Sequence, residues 1–554
     1  MTSVDGCDIM ILVGIDFNVR ALINKKVILM REFNVTGTCI PEENYMVDLT
    51  NKLEQIKTLI DAKKYFTINR GRQYGKTTTL LALERFLADE YTVISLSFEG
   101  LGETSFASEE NFCREFLRLI VGALEASNYS DEACEKWQNE EVNNFTSLGE
   151  HISEVCQTSS TKYVLMVDEV DKTSNNVIFL NFLAKLREKY LASRARKDVT
   201  FHSVILAGVY DIRNIKLRLI QEGLHTPTTS ETVINNSPWN IAVNFEVDMA
   251  FSPAEIATML VEYEKDHQTG MKIEKIANEI YTYTSGYPVL VSGICKYVDE
   301  KLAKNWNVGG IWQAVKLLLS EDSPLFQSLI KNLTSNAEFA DLVQKIVMNE
   351  LKLSFNVDNP LVSLGDRYGY FKEINGKVKI ANRVFEVRLS NYFVDTAISV
   401  SVKANQIRQV DESKIIKDNE FNMQACLEKF AEYYSRYYSQ KDVAFIEREA
   451  RYLFLLFISP ILNGRGFAYV EISATEAMRA DVIVTFLDRQ FVVELKIWRG
   501  EKRHEKAYEQ LLGYMDKLNL DVGYLLTFDF RQKRQPKQTW IDIDSKKQIF
   551  DIII

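Results

Sequence analysis

Two sets of residues in this 554-residue chain have types and spacings that suit phosphate chemistry. The first is Arg70-Gly71-Arg72-Gln73-Tyr74-Gly75-Lys76-Thr77-Thr78. It lies between the apolar run Tyr65-Phe66-Thr67-Ile68 and a stretch where Leu80, Leu81, Leu83, Phe86 and Leu87 recur at helical spacing. Strand, glycine-bearing loop, Gly-Lys-Thr and helix is the layout of a phosphate-binding P-loop. Loop N–H groups and the helix N-terminus would face the phosphates, Lys76 would add a point charge, and the Thr77 hydroxyl suits Mg²⁺. The usual pattern has glycine five residues before Gly75; here Arg70 stands there and Gly71 follows one place late. A second apolar run, Tyr163 to Val167, closes on Asp168-Glu169 roughly 90 residues later. Asp168 is the candidate for holding the magnesium, and Glu169 for polarising an attacking water. Alone, such a run is equally a buried strand entering an acidic turn; its place after Gly-Lys-Thr favours chemistry. Arg70, Gly71, Gly75, Lys76, Thr77, Thr78 and Asp168 are therefore the candidate nucleotide ligands, with Thr77 and Asp168 as metal ligands.

The second set is Asp481, Glu494 and Lys496. Ala480 to Phe486 and Phe491 to Ile497 read as two strands around a short turn. A turn centred on Asp488-Arg489 pairs Asp481 with Lys496 and Ile483 with Glu494. Alternation then places Val482, Val484, Phe486, Phe491, Val493 and Leu495 on one apolar face, and the two acids and the lysine on the other. Clustering such charges on a half-buried face costs desolvation unless something uses them, and a divalent metal would. A structural ion pair is the plainer alternative. Asp…Glu-x-Lys resembles the PD-(D/E)XK nuclease superfamily, with alanine in place of its proline. The resemblance implies that Asp481 and Glu494 hold Mg²⁺ and that Lys496 orients or deprotonates the water. It also implies a further ligand on the helix opened by Glu447-Arg448-Glu449: Glu449, with Glu447 as the alternative. Gln510 and Tyr514, four apart on one helical face, resemble the Gln-xxx-Tyr element of the RecB-like branch. Lys496, Arg499, Lys502, Arg503 and Lys506 form a basic segment suited to a nucleic-acid backbone, or a solvated face balanced by Glu501 and Glu505. Glu471 is a further acid, more at home on the surface.

Composition bounds the rest. The hydrophobic fraction is 46% with 9 prolines, so the chain can bury several cores. The net charge of −10 excludes a nonspecific polyanion binder as a whole. Residues 441–554 nevertheless hold 18 Lys+Arg against 17 Asp+Glu, leaving −11 to everything before them. The 7 cysteines are scattered and odd in number, which argues for free thiols in a cytosol. The apolar run Ile9 to Val13 is too short for a membrane span. No membrane partner is expected.

Several elements must position these residues. A helical pattern over 47–62 leads into the P-loop strand, and Tyr91 to Phe98 reads as a second buried strand. A helical, acid-rich stretch precedes the Asp168 strand. A helix over 178–191 leads to the strand Ser203 to Val209, which ends in Tyr210-Asp211. That strand end is where a γ-phosphate sensor would sit, Tyr210 or Asp211, with Arg213 as a candidate phosphate charge or a solvated residue. Phe245 to Phe251 is expected to add a fifth strand. Strands alternating with helices imply an α/β fold with a parallel sheet, the nucleotide lying at the strand C-termini. Helices follow, broken at Ser285-Gly286-Tyr287-Pro288. Residues 370–380 form a hairpin signal around Asn375-Gly376. Helices followed by this hairpin look like a winged helix.

The expected order is an N-terminal extension (1–45, of which 1–29 have no assigned role), an ATPase core (46–250) and a helical lid (251–324). A winged-helix-like domain (325–400), a linker (401–418) and the nuclease-like domain (419–554) complete it. Taken together, the chain resembles a bacterial family joining an AAA-like, signal-transduction-type ATPase to a C-terminal PD-(D/E)XK domain. The residues that carry this are Arg70 to Thr77, Asp168-Glu169 and Asp481…Glu494-Leu495-Lys496. The resemblance implies ATP and Mg as cofactors, DNA as partner, and an ATPase domain that can self-associate. It further implies a role in defence or mobile-element biology, with Glu169, Asp481, Glu494, Lys496 and Gln510 as catalytic residues. A nucleotide-regulated binding protein with an inactive nuclease-like domain is the alternative.

Overall fold

A computed structural model describes residues 31–170, 177–208, 239–243, 245–348, 351–400, 412–437, 447–462, 466–469, 482–487, 489–531 and 536–554. Tyr210, Asp211, Arg213, Glu471, Asp481 and residues 1–29 lie outside these, as do the side chains of Glu447 and Glu449. The first elements are α1 (Thr50–Asp61), β1 (Tyr65–Asn69), α2 (Lys76–Leu87), β2 (Tyr91–Ser97), α3 (Glu109–Ala126), α4 (Asp131–Glu135), α5 (Phe145–Thr158), β3 (Lys162–Asp168), α6 (Val177–Arg194) and β4 (Ser203–Gly208). The four strands form one parallel sheet in the order β1-β4-β3-β2. Their largely apolar runs fit burial on both faces, since helices cover a parallel sheet on each side. Pairing of Asn69 with Gly208, and of Ser97 with Asp168, brings the strand C-termini to one edge. Side-chain caps start the helices: Ser108 accepts from Asn111 N, and Asn144 forms a reciprocal box with Ser147.

The fifth strand expected over 245–251 does not form among the described residues. Val243 makes one isolated bridge to Phe66. The carbonyls of Asp248 and Ala250 are instead taken by the buried Lys52 ammonium, at 2.8 and 2.9 Å, which also pairs with Glu255. A side chain on α1 thus satisfies backbone groups that a ladder would otherwise need.

A helical region follows: α7 (Pro253–His267), α8 (Ile273–Thr284), α9 (Pro288–Lys301), α10 (Val308–Leu319), α11 (Pro324–Thr334), α12 (Ala337–Val347) and α13 (Pro360–Arg367). Ser252 and Glu255 box the start of α7, with Pro253 at its first turn. The hairpin β5 (Phe371–Ile374) and β6 (Lys377–Ile380) turns at Asn375-Gly376, both at positive φ, as the sequence predicts. The long α14 (Arg383–Val400) leaves it.

In the expected linker, the described part is already structured. β7 (Ile416–Lys417) pairs with β8 (Glu420–Phe421) across Asp418-Asn419, both at positive φ. Then come α15 (Met423–Tyr437), α16 (Glu447–Leu462), β9 (Gly466–Tyr469), β10 (Val482–Phe486), β11 (Arg489–Ile497), α17 (Glu501–Leu518), β12 (Val522–Phe528), β13 (Lys537–Asp542) and β14 (Gln548–Ile553). These strands make a six-stranded sheet, β13-β14-β12-β11-β10-β9, parallel at β11-β12-β14 and antiparallel elsewhere. α15 and α16 pack on its apolar face, where Phe430 and Tyr434 meet Phe528. α17 covers the other face, Leu511 and Met515 lying over Gly523. One continuous buried core runs from the helical region through α14 into this sheet.

The β10–β11 register differs from the expected one. Phe486 pairs with Arg489 and Ile483 with Val492, so the hairpin closes between Phe486 and Arg489, with Leu487 at φ 51. The pairs slide by two residues, which keeps every side chain on its expected face. Glu494 therefore does not lie opposite Ile483. That face is also fully buried rather than half-buried: Ile483, Thr485, Val492 and Glu494 are all 1% exposed or less. Among the described residues no helix is long and apolar enough to cross a membrane.

Candidate functional site

Local geometry places the P-loop at the end of β1. Arg70 N donates to the Gly208 carbonyl of β4 at 3.2 Å, and Gly75, at φ 77, caps α2. Only glycine adopts this left-handed geometry without cost, which explains its place before Lys76. The Lys76 side chain is buried and its ammonium donates to the carbonyls of Arg70 and Gly71, at 3.1 and 3.2 Å. Thr77 Oγ1 donates to Asp168 Oδ2 at 2.6 Å, so the two expected metal ligands meet although 91 residues separate them. Glu169 N donates to Asp168 Oδ1 at 2.8 Å, with Glu169 itself at φ 57. A hydroxyl and a carboxylate converging beside a buried lysine are a hard-oxygen donor set that fits Mg²⁺ and a phosphate.

Two of the expected nucleotide ligands turn elsewhere. The Arg70 guanidinium bonds the Asn69 carbonyl at 3.0 Å and reaches the Val247 carbonyl at 3.5 Å. Thr78 Oγ1 accepts from Cys39 N at 3.2 Å. Gly71 faces the helical region: a Cβ there would meet the Tyr368 carbonyl at 3.3 Å and the Tyr287 hydroxyl at 3.6 Å. Tyr287 donates to the Arg72 carbonyl at 2.6 Å and stacks edge-on against Tyr74, 4.6 Å between ring centres. The Gly286-Tyr287-Pro288 turn thus sits directly on the loop. A cavity of about 120 Å³ opens beside it, walled by Met46, Val47, Phe251, Pro288 and Val289 with Thr78 at its floor. Sequence reasoning missed the wall from 34–49. Its signal was the apolar Met46-Val47 pair just ahead of α1.

In the C-terminal sheet, Glu494 is 1% exposed and Lys496 sits with its ammonium 2.5 Å from Glu494 Oε1. Lys496 pairs with Thr527, and Glu494 with Leu525, which in turn pairs with Asp551. Paired residues share a sheet face, so Glu494, Lys496, Thr527 and Asp551 all lie beneath α17. A cavity of about 520 Å³ lies there, and its lining includes Lys496, Arg499, Arg503, His504, Lys506 and Gln510. The structure therefore brings Gln510, Arg499, Arg503 and Lys506, but not Lys502, to the cavity that Lys496 lines, whereas Tyr514 is buried in the core. Asp551, His504 and Tyr508 were not anticipated. Tyr508 hydroxyl donates to Asp551 Oδ2 at 2.7 Å, and His504 Nε2 lies 2.9 Å from the same oxygen. The signal was present as His504 and Tyr508 four apart on α17, but Asp551 is remote in sequence. Among the described residues no three His, Cys, Asp or Glu side chains converge as a metal site, Asp481 being outside them. The buried carboxylate of Glu494 beside Lys496 still suits a hard divalent cation.

The AAA-like domain family matches residues 44–386. The chain belongs to that family. The PD-(D/E)XK nuclease superfamily matches residues 466–539, so this AAA-like protein carries a nuclease-superfamily domain behind its ATPase-like one. Its fold is accordingly α/β, with a P-loop sheet and a second, C-terminal sheet. Among solved structures, a Walker-type ATPase of Pyrococcus abyssi is 12% identical, covering 64% of this chain and 99% of its own, with a TM-score of 0.44. The Thermotoga maritima RuvB Holliday junction branch migration motor is 12% identical, covering 63% and 96%, with a TM-score of 0.31. The Aeropyrum pernix ORC1 protein in complex with DNA is 11% identical, covering 64% and 94%, with a TM-score of 0.27. No curated protein matches the chain in sequence.

Proposed function

We propose that this AAA-like protein binds and hydrolyses ATP, and that its nucleotide state controls a metal-dependent nuclease acting on DNA. The observation that carries this reading is the burial of Glu494 against Lys496, on the sheet face that opens into a basic cavity. At the P-loop, Lys76 and the loop N–H groups hold the phosphates, and Thr77 and Asp168 hold Mg²⁺. Glu169 orients the attacking water, and the cavity beside Val47 and Pro288 takes the base. In the second domain Glu494, with Asp481 and Glu449, holds a divalent metal, while Lys496 orients the hydrolytic water and Gln510 the strand. The metal, when bound, lowers the pKa of water and offsets charge on the scissile phosphate. The six described cysteines are free thiols, consistent with a reducing cytoplasm. The helices and hairpin over 324–380 serve as a winged-helix-like module between the two sites.

The second reading, a nucleotide-regulated binding protein with a silent nuclease fold, is favoured by one observation. Glu494 already has a close ion-pair partner in Lys496, and an ion pair alone would account for both. Cleavage assays of single- and double-stranded DNA, with Mg²⁺ or Mn²⁺ and with or without ATP, separate the readings. Cleavage that Glu494→Gln and Lys496→Ala each reduce by at least about a hundredfold, and that Lys76→Ala uncouples from ATP, supports the first. No cleavage by the parent, with ATP turnover lost in Lys76→Ala, supports the second.

A further inference from the structure

One polar side chain at the cavity beside the P-loop lacks a partner. Met46, Val47, Phe251, Pro288 and Val289 give that cavity apolar walls, and the polar groups set among them are mostly paired. Thr78 Oγ1 accepts from Cys39 N, and Thr79 Oγ1 donates to the Gly75 carbonyl at 2.9 Å. The Lys52 ammonium is shared between Glu255 and two carbonyls. Gln73 differs. Its Oε1 is buried and has no hydrogen-bond partner among the described residues, and no other side chain around the cavity has a buried polar atom in that state. An acceptor that has lost water and gained no donor is costly, so it calls for an explanation.

The backbone of Gln73 stands at φ 57, a left-handed conformation unfavourable to a residue other than glycine. Its neighbours hold it there. Tyr287 donates to the Arg72 carbonyl at 2.6 Å and packs its ring on Tyr74, while Lys76 ties the carbonyls of Arg70 and Gly71. A strained residue fixed on both flanks, with an unpaired acceptor at a cavity, suits a ligand that brings the missing donor.

We infer that Gln73 reads the base of the bound nucleotide and selects adenine over guanine. Its Oε1 accepts from the exocyclic amine of adenine. Guanine and hypoxanthine carry an oxygen at that ring position, itself an acceptor, and leave Oε1 unpaired. A site built around a hydrogen bond rejects a ligand that cannot make it far more strongly than an apolar wall rejects a change of size. That the cavity receives the base of a purine nucleotide rests on the ATP-binding reading above.

The test is equilibrium binding of ADP, IDP and GDP, each carrying the same fluorophore on its ribose, to the full chain with Mg²⁺. Diphosphates keep hydrolysis of a γ-phosphate out of the measurement. The parent should bind ADP at least about tenfold more tightly than IDP or GDP. Gln73→Met keeps the length of the side chain without its amide, and is first shown by thermal unfolding to be folded. It should bring the three affinities within about threefold of one another, chiefly by weakening ADP. Gln73→Gly, which removes the amide and relieves the left-handed strain, is the second variant and should lose the same preference. Equal parental affinities overturn the inference and leave the nucleotide site standing. So does a parent that rejects GDP but takes IDP as well as ADP, since the extra amino group of guanine would then decide. Variants that weaken all three ligands equally, with the ratios kept, also overturn it and leave Gln73 a role in loop geometry alone. If the parent binds none of the three, the ATP-binding reading itself fails and the inference falls with it.

Discussion

His202 shows how a single half-buried ring can record the state of the P-loop sheet. It precedes β4, its backbone N–H donates to the Tyr163 carbonyl of β3, and its ring lies 5.2 Å from that of Tyr91. Burial, reinforced by the charges of Lys162 and Lys63, pushes its pKa down to about 4 from an ordinary 6.5. Its Nε2 has no hydrogen-bond partner among the described residues, so a proton placed there gains no hydrogen bond. Between those two values the folded protein keeps the ring neutral while the unfolded chain takes up a proton. Stability is therefore full above about 6.5 and falls as pH drops toward 4. His202→Gln should flatten this part of the pH profile. Denaturant midpoints at about pH 7 and about pH 5 check it, and equal slopes for both proteins would refute it. At this scale the meeting of Thr77 and Asp168 was legible in the sequence. Thr77 starts a helix and Asp168 ends a strand, so each position followed from a local pattern. The side-chain bonds of Thr78 and Arg70 were not legible, because their partners, Cys39 N and the Val247 carbonyl, come from segments that no local pattern ties to the loop.

The turn between α8 and α9 carries a close backbone approach. Gly286 stands at φ 75, and a Cβ there would lie 1.9 Å from the Phe251 carbonyl oxygen. Phe251 N also donates to the Gly286 carbonyl at 2.8 Å, so neither backbone can retreat without breaking that bond. Gly286→Ala should cost at least about 2 kcal/mol, combining left-handed strain with displacement of Phe251. The measurement is the midpoint of the first thermal transition, with ATP affinity falling in parallel because Tyr287 and Pro288 follow directly. A loss under about 0.5 kcal/mol would show that the turn adjusts freely. The four P-loop strands, the lid helices and the Asn375-Gly376 hairpin were readable because apolar runs, caps and turn residues are local signals. Two features were not. The fifth strand lost to the Lys52 ammonium, which captures its carbonyls from another element. The β10–β11 register depends on Leu487 at positive φ, a conformation its side chain gives no reason to expect.

At the scale of the molecule the two sites are joined by packed side chains rather than by a loose tether. Tyr287 touches three partners: its hydroxyl donates to the Arg72 carbonyl in the P-loop, and its ring meets Tyr74 at 4.6 Å and Phe385 at 5.2 Å. Phe385 lies on α14, which packs on α8, α10 and α12 at one end and on α16 and β9 of the C-terminal domain at the other. α16 opens with Glu447 to Glu449, and β9 pairs with β10. A nucleotide that reorders the Arg72 carbonyl would therefore bear on α14 through one aromatic side chain, and α14 bears on elements framing the second site. Intermediacy in space is not coupling, so the hydroxyl must be removed with the packing kept. Tyr287→Phe leaves both ring contacts and deletes only the bond to Arg72. If this contact transmits the state of the P-loop, the ratio of cleavage with ATP to cleavage without it should shrink by at least about fivefold, the lower end of usual coupling energies. ATP affinity should change much less, because the proposed phosphate contact of Lys76 and the proposed metal ligand Thr77 are untouched. Hydrogen exchange along α14 gives a second readout that needs no nuclease activity. ATP should alter protection there in the parent and leave it unaltered in Tyr287→Phe. A parental response surviving the substitution in both measurements would assign the coupling to other contacts between α14 and the helical region.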